Sequence, residues 1–184
     1  MDLPRTIGLM GPPPRPGGRP GVSVIRPVLL VGEYPLPEDA AWLRDQHGVT
    51  AVLSLQDDAD LASKGIELRA LERAYREHGL GFHRIPVPDG DDRHLAARLG
   101  EIVGLLGRLV DGGGRVYLHC NAGLNRAPTA AIAYLHVREG LSLEAARDAV
   151  KQARPCVPYM RALEAYLGER AWTGRPRRII GWSP

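Results

Sequence analysis

The feature that most constrains this chain is the order of parts between Arg115 and Glu139. Val116-Tyr117-Leu118 is a short apolar run preceded by Gly112-Gly113-Gly114, the pattern of a buried strand. From about Arg126 to Glu139 the chain reads as a helix, and His119-Cys120 with five further residues joins the two. A strand, a short loop and a helix N-terminus in that order can turn the loop's backbone N–H groups inward, forming a cradle for an anion. Gly123 supplies the backbone freedom that such a turn needs. Arg126 offers a planar fork able to bond two phosphate oxygens at once. Cys120, facing those donors and a helix dipole, is favoured as thiolate, and a thiolate inside an anion cradle is a nucleophile directed at phosphorus. The plainer account, a small buried hydrophobe at a strand end, explains a cysteine alone but not the whole ordered pattern. His119 is expected to bond the loop backbone and support the thiolate rather than act as a base.

The rest of the chain frames this segment. Val22–Ile25 and Val28–Val31 read as strands interrupted by Pro27, Val49–Leu55 as a buried strand, and Phe82–Ile85 as a further strand. Helices are expected from Pro37 toward Gln46 with Gly48 as the stop, over Glu67–Glu77, and over His94–Val110. Two more run from Ser142, as cap, to about Ala153, and from Pro158 to about Arg170. Strands alternating with helices predict an α/β fold: a central, mostly parallel sheet of four to five strands flanked by helices. Four prolines between Pro12 and Pro16 argue against regular structure near the start. The expected organisation is a disordered Pro/Gly-rich tail over 1–21, a catalytic domain over 22–172, and a basic tail over 173–184.

Proton delivery to a leaving oxygen requires an acid, and the loop after the Phe82–Ile85 strand offers Asp89, Asp91 and Asp92. That loop sits at the carboxyl ends of the strands, where open α/β sheets bind ligands. Asp92 suits the N-cap of the next helix, and solvation accounts for Asp91. Asp89, nearest the strand and followed by Gly90, is the expected acid. Composition narrows the remaining choices. The only two cysteines, Cys120 and Cys156, make no disulfide framework or zinc-ligand pattern, which fits a reducing cytoplasm. A net charge of +3 suits an anionic substrate without pointing to nucleic acid, and no window is long and apolar enough for stable membrane insertion. Cys156 reads as an inert thiol or as a partner for Cys120 under oxidation. Arg154 and Arg161 read as rim cations or as solvated helix residues. Trp42 and Phe82 read as core, and Trp182 as exposed.

His-Cys, five residues and Arg is the signature that the protein tyrosine and dual-specificity phosphatases carry. Here His119-Cys120-Asn121-Ala122-Gly123-Leu124-Asn125-Arg126-Ala127-Pro128 is most similar to the plant glucan phosphatases and, less closely, to laforin. The resemblance runs from about Leu29 to Tyr166, through Gly48–Gln56, Asp57, Asp58 and Asp60, and on to Arg154-Pro155-Cys156. It implies a dual-specificity-phosphatase-like fold and a cysteinyl-phosphate intermediate on Cys120. It implies phosphate binding by Asn121, Ala122, Gly123, Leu124, Asn125 and Arg126, with Asp89 as acid and then base, and no metal or organic cofactor. Phosphorylated protein is the implied substrate, with phosphorylated glycan or lipid headgroup as the alternative and an inert phospho-binding module as a third reading. Several positions depart from the glucan pattern: Asn125 replaces a glycine, Gly90 an aromatic beside the acid, and Ser63-Lys64 an aromatic pair. Ala127 stands where many members carry a hydroxyl. With only 5% aromatic residues, the chain has few rings to offer a sugar.

Overall fold

The computed structural model describes residues 18–168; residues 1–17, Arg170, Trp172, Trp182 and the 173–184 tail lie outside them. Five strands form one sheet: β1 (Val22–Arg26), β2 (Leu29–Gly32), β3 (Ala51–Ser54), β4 (Gly81–Arg84) and β5 (Val116–His119). Their spatial order is β1-β2-β5-β3-β4. The last strand in sequence is thus the central one, bonded in parallel to β2 on one side and to β3 on the other. All four of its residues are buried, as a near-continuous apolar strand requires when both faces of a parallel sheet are covered. β4 continues the parallel run, and β1 folds back antiparallel on β2, the pairing that a two-residue connection at Pro27 permits.

Alternation along the strands splits the core in two. Leu29, Val31, Leu53, Val116 and Leu118 join the cluster built by α4 (Asp92–Asp111), α5 (Arg126–Glu139), α6 (Leu143–Ala153) and α7 (Met160–Leu167). Leu30, Val52 and Tyr117 pack with α1 (Ala40–His47), α3 (Leu68–Glu77) and Leu61 of the short α2 (Asp58–Ser63). α5 is buried without a break from Arg126 to His136, and its alanines let neighbouring helices close around it. Gly140, at φ 72°, ends it in the left-handed cap that glycine accepts without strain. Trp42 and Phe82 pack against the second cluster, Phe82 with its ring 5.0 Å from that of Tyr75.

Some expected boundaries move. α4 is capped by Asp91, whose carboxylate accepts from His94 N at 2.8 Å, and Asp92 is its first residue. α7 begins at Met160, two residues after Pro158, and ends at Leu167 before Gly168. α2 is an element that the apolar pattern did not announce. Ahead of β1, Arg19 pairs with Asp39 at 2.9 Å and Gly21 N donates to Glu33. No helix among the described residues is long and apolar enough to cross a membrane.

Candidate active site

The parallel strands deliver three loops to their shared carboxyl end: the turn into α2 after β3, the loop after β4 that carries Asp89, and the Cys120–Asn125 loop after β5. The last is organised by its carbonyls. Cys120 O lies 3.0 Å from His119 Nδ1, and Asn121 O accepts from Tyr34 N at 2.9 Å. Ala122 O and Gly123 O accept from Arg154 Nη2 and Nε at 2.8 and 2.6 Å. Leu124 O accepts from Val157 N, and Asn125 O from both Thr129 N and Thr129 Oγ1. Every carbonyl of the loop is therefore committed to a partner away from its centre. None of the backbone N–H groups from Asn121 to Asn125 donates to another described group. A turn with outward carbonyls and uncommitted amides is the arrangement that gathers an anion.

Gly123 is required here on two grounds. Its φ is 63°, and a Cβ would fall 2.6 Å from both Gly32 C and Arg154 Nη2. Arg154 is thus buried beneath the loop, fastening it to Gly21 O and Ser23 as well, so neither rim nor solvated helix describes it. Arg161 is exposed on α7. The side chains of Asn121 and Asn125 also serve the frame. Asn121 donates to Asp60 and accepts from Gln56 Nε2 at 2.8 Å, while Asn125 donates to Val157 O at 2.7 Å.

Arg126 is fully buried at the start of α5. Its Nη1 donates to Asp60 Oδ2 at 2.6 Å and Val87 O at 2.7 Å, and its Nε stands 3.2 Å from Asp89 Oδ1. Nη2 is buried with no hydrogen-bond partner among the described residues, a donor held for something outside the protein frame. Burial works against the guanidinium charge. The negative field of Cys120, then the hydrogen bond and charge of Asp60 and the charge of Asp89, outweigh it and raise the Arg126 pKa above its ordinary value. Cys120 itself is 3% exposed and free of disulfide. Cys156 is buried too, and burial pushes its thiol up, partly offset by Lys151 and Arg154.

Asp89 stands at this site with its carboxylate 43% exposed, open to a leaving group. Asp91 is the cap of α4 and Asp92 lies inside that helix, so neither competes for Arg126. Asp60, named above only within the stretch of resemblance, is the site residue that sequence reasoning left without a role. It is buried, caps α2 reciprocally with Asp57, and accepts from Arg126 and Asn121 together. Its one local signal is the Asp57-x-x-Asp60 spacing of a capping box. Gln56, fully buried between β3 and α2, holds Asn121 from the other side.

Comparison with known proteins agrees with this geometry. The sequence model described as "Dual specificity phosphatase, catalytic domain" matches residues 32–167, from the end of β2 to the end of α7. The chain is 31% identical over 161 residues to "Phosphoglucan phosphatase DSP4, amyloplastic" of Castanea sativa, covering 86% of this chain and 42% of that protein. It is 30% identical over 134 residues to "Dual specificity protein phosphatase 2" of Homo sapiens, covering 73% of this chain and 38% of that one. The chain thus spans less than half the length of these curated relatives. Among solved structures, Tk-PTP in its active form superposes with a TM-score of 0.68 at 24% identity, over 79% of this chain and 95% of that one, a likeness of fold. A match that runs from the end of β2 through β3, β4 and β5, all three loops and the helices behind them means that the chain belongs to the dual specificity phosphatase family, through its catalytic domain.

Proposed function

We propose that this chain hydrolyses phosphate monoesters through a cysteinyl-phosphate intermediate and that its substrate is phosphoprotein. The observation that carries this reading is the Cys120–Asn125 loop, with every carbonyl committed outward and its amides and Arg126 Nη2 uncommitted. In the first step Cys120 Sγ attacks phosphorus, the ester P–O bond breaks, and Asp89 gives its proton to the leaving oxygen. The amides of Asn121, Ala122, Gly123, Leu124 and Asn125, with the Arg126 fork, hold the remaining phosphoryl oxygens as charge redistributes. In the second step Asp89, now a carboxylate, takes a proton from water as that water's oxygen attacks phosphorus. The P–S bond breaks, inorganic phosphate leaves, and the thiolate is restored. His119 supports the loop through its contact with Cys120 O, and Ala127 offers the departing thiolate no hydroxyl. A reducing cytoplasm is the compartment in which Cys120 stays a thiol.

Asp89→Ala should slow turnover by about 10²–10⁴-fold while phosphate binding survives. Asp91→Ala should cost about 1 kcal/mol of stability through the lost cap and leave turnover largely intact. Steady-state kinetics and urea unfolding of both variants check this, and a larger kinetic loss from Asp91→Ala would move the acid to that residue.

Phosphoprotein is preferred because the site offers a sugar little flat surface. Gly90 carries no side chain beside Asp89, Tyr34 is only 3% exposed, Phe82 belongs to the core, and the one ring that reaches the acid loop, Tyr159, is half-buried. Phosphoglucan is the second reading, supported by the 31% identity to the chestnut relative of that name. Phosphate release from phosphotyrosyl and phosphothreonyl peptides should exceed that from phosphorylated amylopectin by about tenfold or more in kcat/KM. The reverse order would assign the glucan, and faster release from a phosphoinositide would assign a lipid headgroup. An inert protein that binds phosphate would be a phospho-binding module.

A further inference from the structure

The loop bearing Asp89 is fastened at both ends and nearly free at its tip. Val87 N donates to Leu55 O, Val87 O accepts from Arg126, and the Asp91 carboxylate accepts from His94 N. Between these anchors lie Asp89 and Gly90, both exposed, with Gly90 at φ 81° and nothing within 4 Å of where its Cβ would stand. A glycine in open space is a point about which the acid can swing. Two side chains from outside the loop reach this tip: Arg126 Nε stands 3.2 Å from Asp89 Oδ1, and the Tyr159 hydroxyl accepts from Gly90 N at 3.2 Å, the same nitrogen lying 3.2 Å from Asp89 Oδ1.

Tyr159 is itself tied to the phosphate loop. Its backbone N donates to Thr129 Oγ1 at 2.8 Å, and Thr129 Oγ1 in turn donates to Asn125 O at 2.7 Å. Two residues earlier, Val157 bonds Leu124 O through its N and Asn125 Nδ2 through its O. Its ring is half-buried and packs against the larger core cluster. A rigid aromatic side chain thus spans from the Cys120 loop to the acid loop. Burial, and then the charge of Asp89, push the Tyr159 phenol up from its ordinary value, so the group stays a neutral hydroxyl beside the acid.

We propose that Tyr159 is a positioning residue for proton transfer, holding the Gly90 amide so that Asp89 faces the leaving oxygen of a phosphate seated on Cys120. The proposal rests on Asp89 being the general acid. A residue that acts through the acid matters in proportion to how much the leaving group needs a proton. Tyr159→Phe keeps the ring and its packing and removes only the acceptor. It should lower kcat for phenyl phosphate by about fivefold, the rate equivalent of one neutral hydrogen bond, at unchanged KM. For p-nitrophenyl phosphate, whose leaving group departs as a stable anion, the loss should be smaller. In an Asp89→Asn background, Tyr159→Phe should have no further effect on either ester. Equal losses on both esters in the single-turnover phosphorylation of Cys120, a rise in KM instead of a fall in kcat, or a loss that persists beside Asp89→Asn would each overturn the positioning role. If Asp89→Asn alone leaves phenyl phosphate turnover unchanged, the assignment of the acid fails, a result read separately from any effect of Tyr159.

Discussion

Cys120→Ser should abolish turnover of every phosphate ester, by about 10⁴-fold or more, while inorganic phosphate still binds. The two halves of this expectation come from different atoms. Attack on phosphorus needs an ionised nucleophile, and a serine hydroxyl in the same place stays protonated. Binding uses the amides of Asn121–Asn125 and the guanidinium of Arg126, none of which the exchange removes. Those donors are held by His119, Tyr34, Arg154, Val157 and Thr129 through the loop carbonyls, so the cradle does not depend on sulfur for its shape. Single-turnover kinetics with an aryl phosphate and titration calorimetry with inorganic phosphate separate the two. Retained turnover would place the nucleophile elsewhere. Loss of phosphate binding would mean that the thiol, rather than the carbonyl partners, shapes the loop.

What could be read in the sequence follows the range of the interactions involved. The strand, loop and helix around Cys120 are local: apolar residues in a row, a glycine needing φ 63°, and a helix that starts at Arg126 and stops at Gly140. The fold class and the place of Asp89 after β4 followed in the same way. The order of the sheet did not, because β5 enters between β2 and β3 on the strength of burial on both faces. Asp91 and Asp92 are the same residue type, and only the backbone angles at the start of α4 decide which one caps it. Arg154 was ambiguous because an arginine is buried only where carbonyls await it, and its acceptors Ala122 and Gly123 lie more than thirty residues earlier. α2 has six residues with Leu61 as its main apolar contribution, too short for any periodicity to register.

The second large effect should come from that unannounced element. Asp60→Ala should lower stability by about 3–5 kcal/mol, the scale of breaking a buried ion pair by removing one partner. The Arg126 side chain is 1% exposed and that of Asp60 8%, so water cannot replace what is lost. Asn121 Nδ2 and Asp57 N lose their acceptor in the same stroke, which loosens the turn into α2 and one wall of the Cys120 loop. Turnover should fall too, by about 10²-fold or more, because Arg126 would keep Val87 O and Asp89 but lose the partner that fixes its fork, and small displacements of a phosphate clamp are costly to rate. Asp60→Asn, which keeps an acceptor oxygen and the volume while removing the charge, should fall between the two in both measurements. Asp58 supplies the control: its carboxylate is 92% exposed while bonding Arg84 at 2.6 Å, so Asp58→Ala should change stability by no more than about 1 kcal/mol. Urea midpoints at constant m-value report the stability series. An Asp60→Ala protein as stable and as active as the Asp58→Ala control would show that the backbone carbonyls and Asp89 suffice to hold Arg126.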